Sequence, residues 1–338
     1  MFNESALRDY LEPLLPTASG PLVVEALTGG QSNPTYRLRW GGAAYVLRKQ
    51  PAGELLPSAH AVDREYRVMT ALAGSGVPVP RTYAYCDDRS IVGTPFFVMD
   101  FADGRQFFDP AVPELPAEQR TALWDDINAV LARLHRVDYA AAGLGDYGKP
   151  GNYFERQVAR WTRQYRAAET ERIPAMDRLI EWLPQHVLAS EESAIVHGDF
   201  RMDNFIVHRT EPRVIAILDW ELSTLGHPLA DLAYQAMAWR VTFAQFRGMA
   251  GNDFHALGLP TEAEYVASYC RRTGRDPIDP MAWEFCVAFS MFRLAAILQG
   301  ITKRAQQGNS ADAHAAEVGA RSRTIAEVAW QQVERNGG

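Results

Sequence analysis

Asp199, Asn204 and Asp219 are the residues whose types and spacing most directly suggest chemistry. They sit in His197-Gly198-Asp199-Phe200-Arg201-Met202-Asp203-Asn204 and in Ile217-Leu218-Asp219-Trp220-Glu221. The amide follows the first carboxylate by five positions, and the second carboxylate follows the amide by fifteen. A carboxylate can accept the proton of an attacking hydroxyl, while an amide oxygen and a second carboxylate are hard donors suited to magnesium. Phosphoryl transfer asks for that equipment: a positioned nucleophile and cations against the phosphates, with little covalent work by the protein. Asp199 is therefore the candidate base, and Asn204 and Asp219 are the candidate Mg2+ ligands beside a nucleotide. Taken singly, His-Gly-Asp reads as a turn and Asp-Trp as a helix start; taken together they read as a phosphotransferase. His197 reads as a backbone brace.

These groups need elements to hold them. Asn204 lies across a loop that can fold back toward Asp199. Asp219 ends the apolar run Val214-Ile215-Ala216-Ile217-Leu218, a buried-strand pattern that delivers its carboxylate at a rigid strand end. Upstream, residues 5–15 read as an amphipathic helix ended by Pro16. Residues 22–27, 34–40 and 43–48 read as strands, 60–73 as a helix, and 81–86 and 95–101 as two further strands. The first hundred residues thus make a five-stranded antiparallel sheet with one inserted helix. From there the periods are helical, at 117–136, 152–168, 174–190, 228–241, 261–273, 280–304 and 312–335. The main break is 195–219, where two short strands flank the candidates. Asp100–Gly104 reads as a hinge. The expected architecture is α+β in two lobes: residues 1–103 for the nucleotide, and a mostly helical 104–338 carrying the catalytic loop and the acceptor site.

At 338 residues, 47% hydrophobic and 22% charged, the chain can build substantial cores. A net charge of −7 provides no overall basic field for nucleic acid. Cys86, Cys270 and Cys286 lack metal or redox spacing and read as reduced core thiols. The first ten residues carry charges where a signal peptide needs an apolar run, and no uncharged stretch approaches bilayer-spanning length. A cytoplasmic protein with no membrane partner is expected.

Three further segments add a resemblance: Leu27-Thr28-Gly29-Gly30-Gln31-Ser32-Asn33-Pro34-Thr35-Tyr36, Tyr45-Val46-Leu47-Arg48-Lys49 and Leu225-Gly226-His227-Pro228-Leu229-Ala230-Asp231-Leu232-Ala233. With the two segments above, the chain resembles the aminoglycoside phosphotransferase and choline-kinase branch of the protein-kinase-like fold. Within that branch it is most similar to the phosphotransferase domain associated with acyl-CoA dehydrogenases. The resemblance implies ATP and Mg2+ as cofactors. It puts Gly30, Gln31, Ser32 and Asn33 over the nucleotide phosphates. It places Arg48 where the family has its phosphate-binding lysine, paired with Glu65. It sets Met99, Asp100, Phe101 and Ala102 along the adenine edge, with backbone groups making the bonds. Strand alternation assigns the phosphate contact to Arg48 and turns Lys49 to the other face, roles a bulge would exchange. Asp231 corresponds to a structural Asp that braces backbone amides. Trp220-Glu221 stands where protein kinases have Phe-Gly, and no Ala-Pro-Glu segment follows, which argues against a protein substrate.

The acceptor is expected among the helices after 228. That region offers Trp239, Arg240, Phe243, Phe246, Arg247, Phe285, Phe289, Phe292 and Arg293 rather than the carboxylates that would hold a polycation. An acyl or anionic small molecule fits it best, a hydroxyacyl-CoA or hydroxy acid, with an acyl-CoA dehydrogenase in the same pathway. Aminoglycoside, choline and homoserine kinases are the competing enzymes, and a nucleotide-binding pseudokinase is the non-catalytic alternative. The choice of ATP or GTP and the oligomeric state stay open.

Overall fold

Strands β1 (Val23–Ala26), β2 (Thr35–Trp40), β3 (Ala43–Lys49), β4 (Thr82–Cys86) and β5 (Phe96–Asp100) form one antiparallel sheet in the order β1-β2-β3-β5-β4. The structure, a computed structural model, describes residues 3–15, 19–27, 33–53, 60–189, 192–307 and 315–336. Alternation along β3 and β5 sorts the sheet's two faces. Leu47, Phe96 and Val98 pack with Leu7 and Leu11 of helix α1 (Glu4–Leu11). Val46, Phe97 and Met99 join Val68, Met69 and Leu72 of α2 (Val62–Leu72) in a larger core that continues into the helical part. A single turn, α3 (Arg89–Val92), capped by Asp88, joins β4 to β5.

The chain leaves β5 through residues 101–105. Arg105 there exchanges backbone hydrogen bonds with Val207, at 2.7 and 2.8 Å. Gly104 permits that approach, since a Cβ at this position would stand 2.3 Å from the Val207 carbonyl oxygen. Helices α4 (Ala117–His135), α5 (Tyr153–Ala168) and α6 (Pro174–Trp182) follow. Then come four short strands: β6 (Ala194–Val196) pairs with β9 (Thr224–Gly226), and β7 (Phe205–Val207) with β8 (Val214–Ile217). The remainder is α7 (Leu229–Arg240), the single turns α8 (Phe243–Phe246) and α9 (Phe254–Leu257), α10 (Glu262–Thr273), α11 (Pro280–Gln306), α12 (Ala315–Gly319) and α13 (Arg321–Arg335). α11 has the length and apolarity of a membrane span, but it packs against α5, α7 and α13 and most of its apolar stretch is buried.

Several boundaries differ from expectation. α1 ends at Leu11, because Pro13 has no N–H to continue it. α6 ends at Trp182 rather than near 190, where Pro184 turns the chain into a 3-10 turn. The stretch expected as one helix from 312 is, among the described residues, two helices meeting at Ala320. Residues 194–226 hold four strands, not two. Three or four residues are too few for a period to register.

Candidate active site

The catalytic segment runs from β6 to β7 as a tight loop. Gly198 adopts φ +82°, and a Cβ there would meet the Leu222 carbonyl oxygen at 2.6 Å, so glycine is required on both counts. Asp231, buried at the start of α7, accepts the backbone N–H of His197 at 2.6 Å and of Gly198 at 2.8 Å. It therefore braces the loop as expected. His197 accepts the Asp199 N–H on Nδ1 at 3.2 Å, which leaves Nε2 as the donor to the Leu218 carbonyl at 2.9 Å. The loop is thus tied to the strand end that carries Asp219.

Asp199 receives several donors. Asn204 Nδ2 bonds its Oδ2 at 2.8 Å, Arg201 Nε lies 3.2 Å from Oδ1, and the Tyr234 hydroxyl also reaches it. Burial opposes the charge, yet Arg201, His197, Tyr234 and Asn204 together hold the Asp199 carboxyl below the usual carboxylate range. Asn204 spends its nitrogen on Asp199, which turns its oxygen into an available hard donor.

Asp219 adopts the left-handed conformation, φ 63° and ψ 63°, unusual for a residue with a Cβ and common at functional sites. Its Oδ1 accepts Arg48 Nη2 at 2.6 Å. Arg48 Nε lies 3.1 Å from Glu65, so one guanidinium bridges two carboxylates. The side chains of Arg48 and Glu65 are 11% and 2% exposed, against 40% for Asp219. Burial works against the charge of Arg48, and Glu65, Asp219 and Glu221 outweigh it. Burial pushes the Glu65 carboxyl up to about 7 while Arg48 pulls it back. Lys49 points away, to the carbonyl of Val92. Arg64 on α2 bonds the carbonyls of Tyr147 at 2.8 Å and Ser223 at 3.3 Å, fastening the helix that bears Glu65 to the turn after Asp219.

One expectation for the nucleotide side needs correction. Asn33 was expected to face phosphate, but it is fully buried: its Nδ2 donates to Glu65 at 2.9 Å and its Oδ1 lies 3.0 Å from His60. The side chain serves the ion pair. Backbone groups near Asp100 to Ala102 were expected at the adenine edge; there the N–H groups of Asp100 and Phe101 donate to Arg81 and Ala44 within the sheet, at 2.8 and 3.2 Å. Among the described residues, the Ala102 N–H is the one in this segment left for a ligand. Met99 lies opposite Val46 on the face that carries Arg48. Gly30, Gln31 and Ser32 fall outside the described residues.

An amide oxygen from Asn204 and the free, half-exposed oxygen of Asp219 suit Mg2+, which takes few protein ligands and completes its shell with phosphate and water. No cluster of three His, Cys, Asp or Glu able to hold a metal exists among the described residues.

Behind Asp199, Arg201 and Tyr234 also wall a cavity between α7, α11 and α13. Met237, Val241, Phe246, Met291, Leu294 and Ile325 make it apolar, and Gln235, which accepts the Tyr265 hydroxyl at 2.9 Å, adds one amide. Asp203 and Arg247 stand at the cavity 2.8 Å apart, and Asp203 also pairs with Arg201 at 3.0 Å. Of the residues expected to meet an acceptor, Phe246 and Arg247 line this cavity. Phe285, Phe289 and Phe292 are core, and Trp239 packs on Trp124 and Tyr265. Arg240 pairs with Glu262 and Glu284. Arg293 is buried against Tyr234 and Trp161 and donates to the Gly198 carbonyl at 2.6 Å, so it supports the loop. Sequence reading missed Arg201 and Tyr234; the signal for Arg201 was a cation two positions from the base.

The model of the phosphotransferase enzyme family, APH, matches residues 23–273. The chain belongs to that family. Mouse acyl-CoA dehydrogenase family member 10 is 48% identical over 337 residues, covering 99% of this chain and 31% of the relative. The chain spans about a third of the length of that curated relative. A Ralstonia eutropha structure, whose aminoglycoside phosphotransferase name is provisional, superposes with a TM-score of 0.90 at 49% identity and covers 99% of each chain. Choline kinase from Cryptosporidium parvum shares the fold, with a TM-score of 0.69 at 11% identity over 98% of this chain and 96% of its own. The fold is protein-kinase-like, and the family is one of small-molecule kinases.

Proposed function

We propose that the chain is a cytoplasmic, ATP- and Mg2+-dependent kinase that phosphorylates the hydroxyl of a hydroxyacyl-CoA or hydroxy acid. The observation that carries this choice is the cavity beside Asp199. Among the described residues that line it, the one carboxylate is Asp203, already paired with two guanidinium groups, so the cavity wall offers an aminoglycoside polycation or a choline cation little negative charge. The naming of relatives as acyl-CoA dehydrogenase family members supports an acyl acceptor, and a dehydrogenase acting in the same pathway.

In this reading residues 1–103 hold the nucleotide, and 104–338 hold the catalytic loop and acceptor. Arg48, kept in place by Glu65, meets the α- and β-phosphates and can grip two oxygens at once. Asn204 and Asp219 hold Mg2+, which when bound neutralises charge on the phosphates. Asp199 accepts a hydrogen bond from the acceptor hydroxyl and aims its oxygen in line at the γ-phosphorus. That oxygen forms the new P–O bond as the bond to the β,γ-bridging oxygen breaks, giving ADP and a phosphate monoester. A carboxylate held below its usual range is a weak base, so the proton reaches Asp199 late, as a loose transition state allows.

The test is ATP consumption with Mg2+ across 3- and 4-hydroxyacyl-CoAs, free hydroxy acids, choline, homoserine and kanamycin. Turnover with a hydroxyacyl compound is expected. Turnover with kanamycin or choline and none with hydroxyacyl compounds would overturn the proposal.

A further inference from the structure

Two groups that touch the Asp199 carboxylate, Arg201 and Tyr234, form one wall of the apolar cavity, so an acceptor hydroxyl at the base has its neighbouring atoms at the cavity mouth. The interior offers about 60 Å3. At about 25–30 Å3 for each methylene-sized group, the room that the six carbons of benzene take in a cavity of about 150 Å3, that space takes roughly two or three non-hydrogen atoms. The far wall is core: Met291 and Ile325 are fully buried, and Val241 is 2% exposed. Close-packed walls of this kind resist expansion.

We propose that this cavity receives the alkyl tail of the acceptor, the part beyond the carbon that bears the reacting hydroxyl, and selects its length at roughly two or three carbons. The inference rests on the hydroxyacyl reading above. The tail is the part that fits. A coenzyme A thioester is far larger than 60 Å3 and must stay outside the mouth, whereas a tail gains from burial and asks for no polar partner. Each methylene taken into the cavity raises kcat/KM about fourfold until the space is full. Further carbons must displace Met291 or Ile325, and efficiency then falls.

The experiment measures kcat/KM for 4-hydroxyacyl-CoAs whose tails run from one to ten carbons, in the wild type, Ala238→Leu and Met291→Ala. Ala238 also lines the cavity; Ala238→Leu adds three carbons to the wall and should move the optimum shorter, whereas Met291→Ala opens the end and should move it longer. The readout is the ratio of long-tail to short-tail efficiency within one preparation, so a general loss of folded enzyme cancels. Opposite movements of the optimum in the two variants support the inference. Turnover with a flat tail-length profile, or one that neither variant moves, overturns it and leaves the hydroxyacyl reading standing. No turnover with any hydroxyacyl thioester, while another acceptor is phosphorylated, overturns that reading and the inference with it.

Discussion

Arg48→Lys puts into the third strand the residue that resemblance to the family expects there, and on likeness alone it should be neutral or beneficial. The geometry says otherwise. Arg48 spans two carboxylates, with Nε 3.1 Å from Glu65 and Nη2 2.6 Å from Asp219. A lysine at the same backbone position presents one ammonium and cannot reach both. It will stay with Glu65, whose side chain is 2% exposed and costs more to leave unpaired than Asp219 at 40%. The loss is then one charge-assisted bond to a half-exposed carboxylate, about 1–2 kcal/mol after allowance for solvent. Thermal unfolding without nucleotide should show a Tm lower by roughly 1–3 °C. At saturating acceptor and fixed Mg2+, KM for ATP should rise about tenfold, the equivalent of about 1.4 kcal/mol, because the bidentate phosphate grip goes as well. An Arg48→Lys protein equal to the wild type in both Tm and KM would refute the bridging argument. So would a Lys49→Met protein that shows the KM defect while Arg48→Met does not.

Asp199→Ala should lower turnover by at least a hundredfold while ATP still raises Tm, whereas Asp219→Ala should also weaken the Mg2+-dependent part of that rise; near-normal turnover in a folded Asp199→Ala preparation would remove Asp199 from the mechanism. Glu65 has a folded value of about 7, above its ordinary 4.5, so folding favours its protonated form and the buried charge is destabilising above pH 7. Because only the ionised form holds Arg48, KM for ATP should climb as pH falls through about 7, and Glu65→Gln should show a uniformly high KM without that climb. His227 behaves as a buried base: burial lowers it from 6.5 to about 4, and its Nδ1 accepts the Leu229 N–H at 3.2 Å. The unfolded chain takes up that proton below pH 6.5 and the folded chain does so only near 4. Up to about 3 kcal/mol is therefore lost across that window. Urea midpoints measured from pH 7.5 to 4.5 should fall less steeply for His227→Gln, and parallel slopes would exclude His227 as the source.

What the sequence made legible and what it hid divide along one physical line. The closeness of Asn204 to Asp199 could be read because the loop closes over five residues, whereas the bracing by Asp231, whose amide partners lie 33 and 34 residues away, came from the resemblance alone. Arg48 and Glu65 followed from the resemblance, with strand alternation choosing Arg48 over Lys49. Where a side chain's partner is set by packing, period alone gave the wrong surroundings. Asn33 sits next to a glycine-rich segment and looked outward-facing, but the buried Glu65 oxygen that also accepts Arg48 Nε captures its amide. Phe285, Phe289 and Phe292 have the spacing of a helix face, and nothing in that spacing tells a core face from a ligand face. Arg293 reaches the Gly198 carbonyl across 95 residues of sequence, a relation that exists only once α11 is seated beneath the loop. Tyr234 follows the same rule, because α7 must be anchored through Asp231 before its next turn can present a hydroxyl to Asp199. The Asp199–Asn204 pair was therefore visible in the sequence, while Arg201 and Tyr234, which surround Asp199, were not. Those two groups also open onto the cavity proposed above for the acceptor.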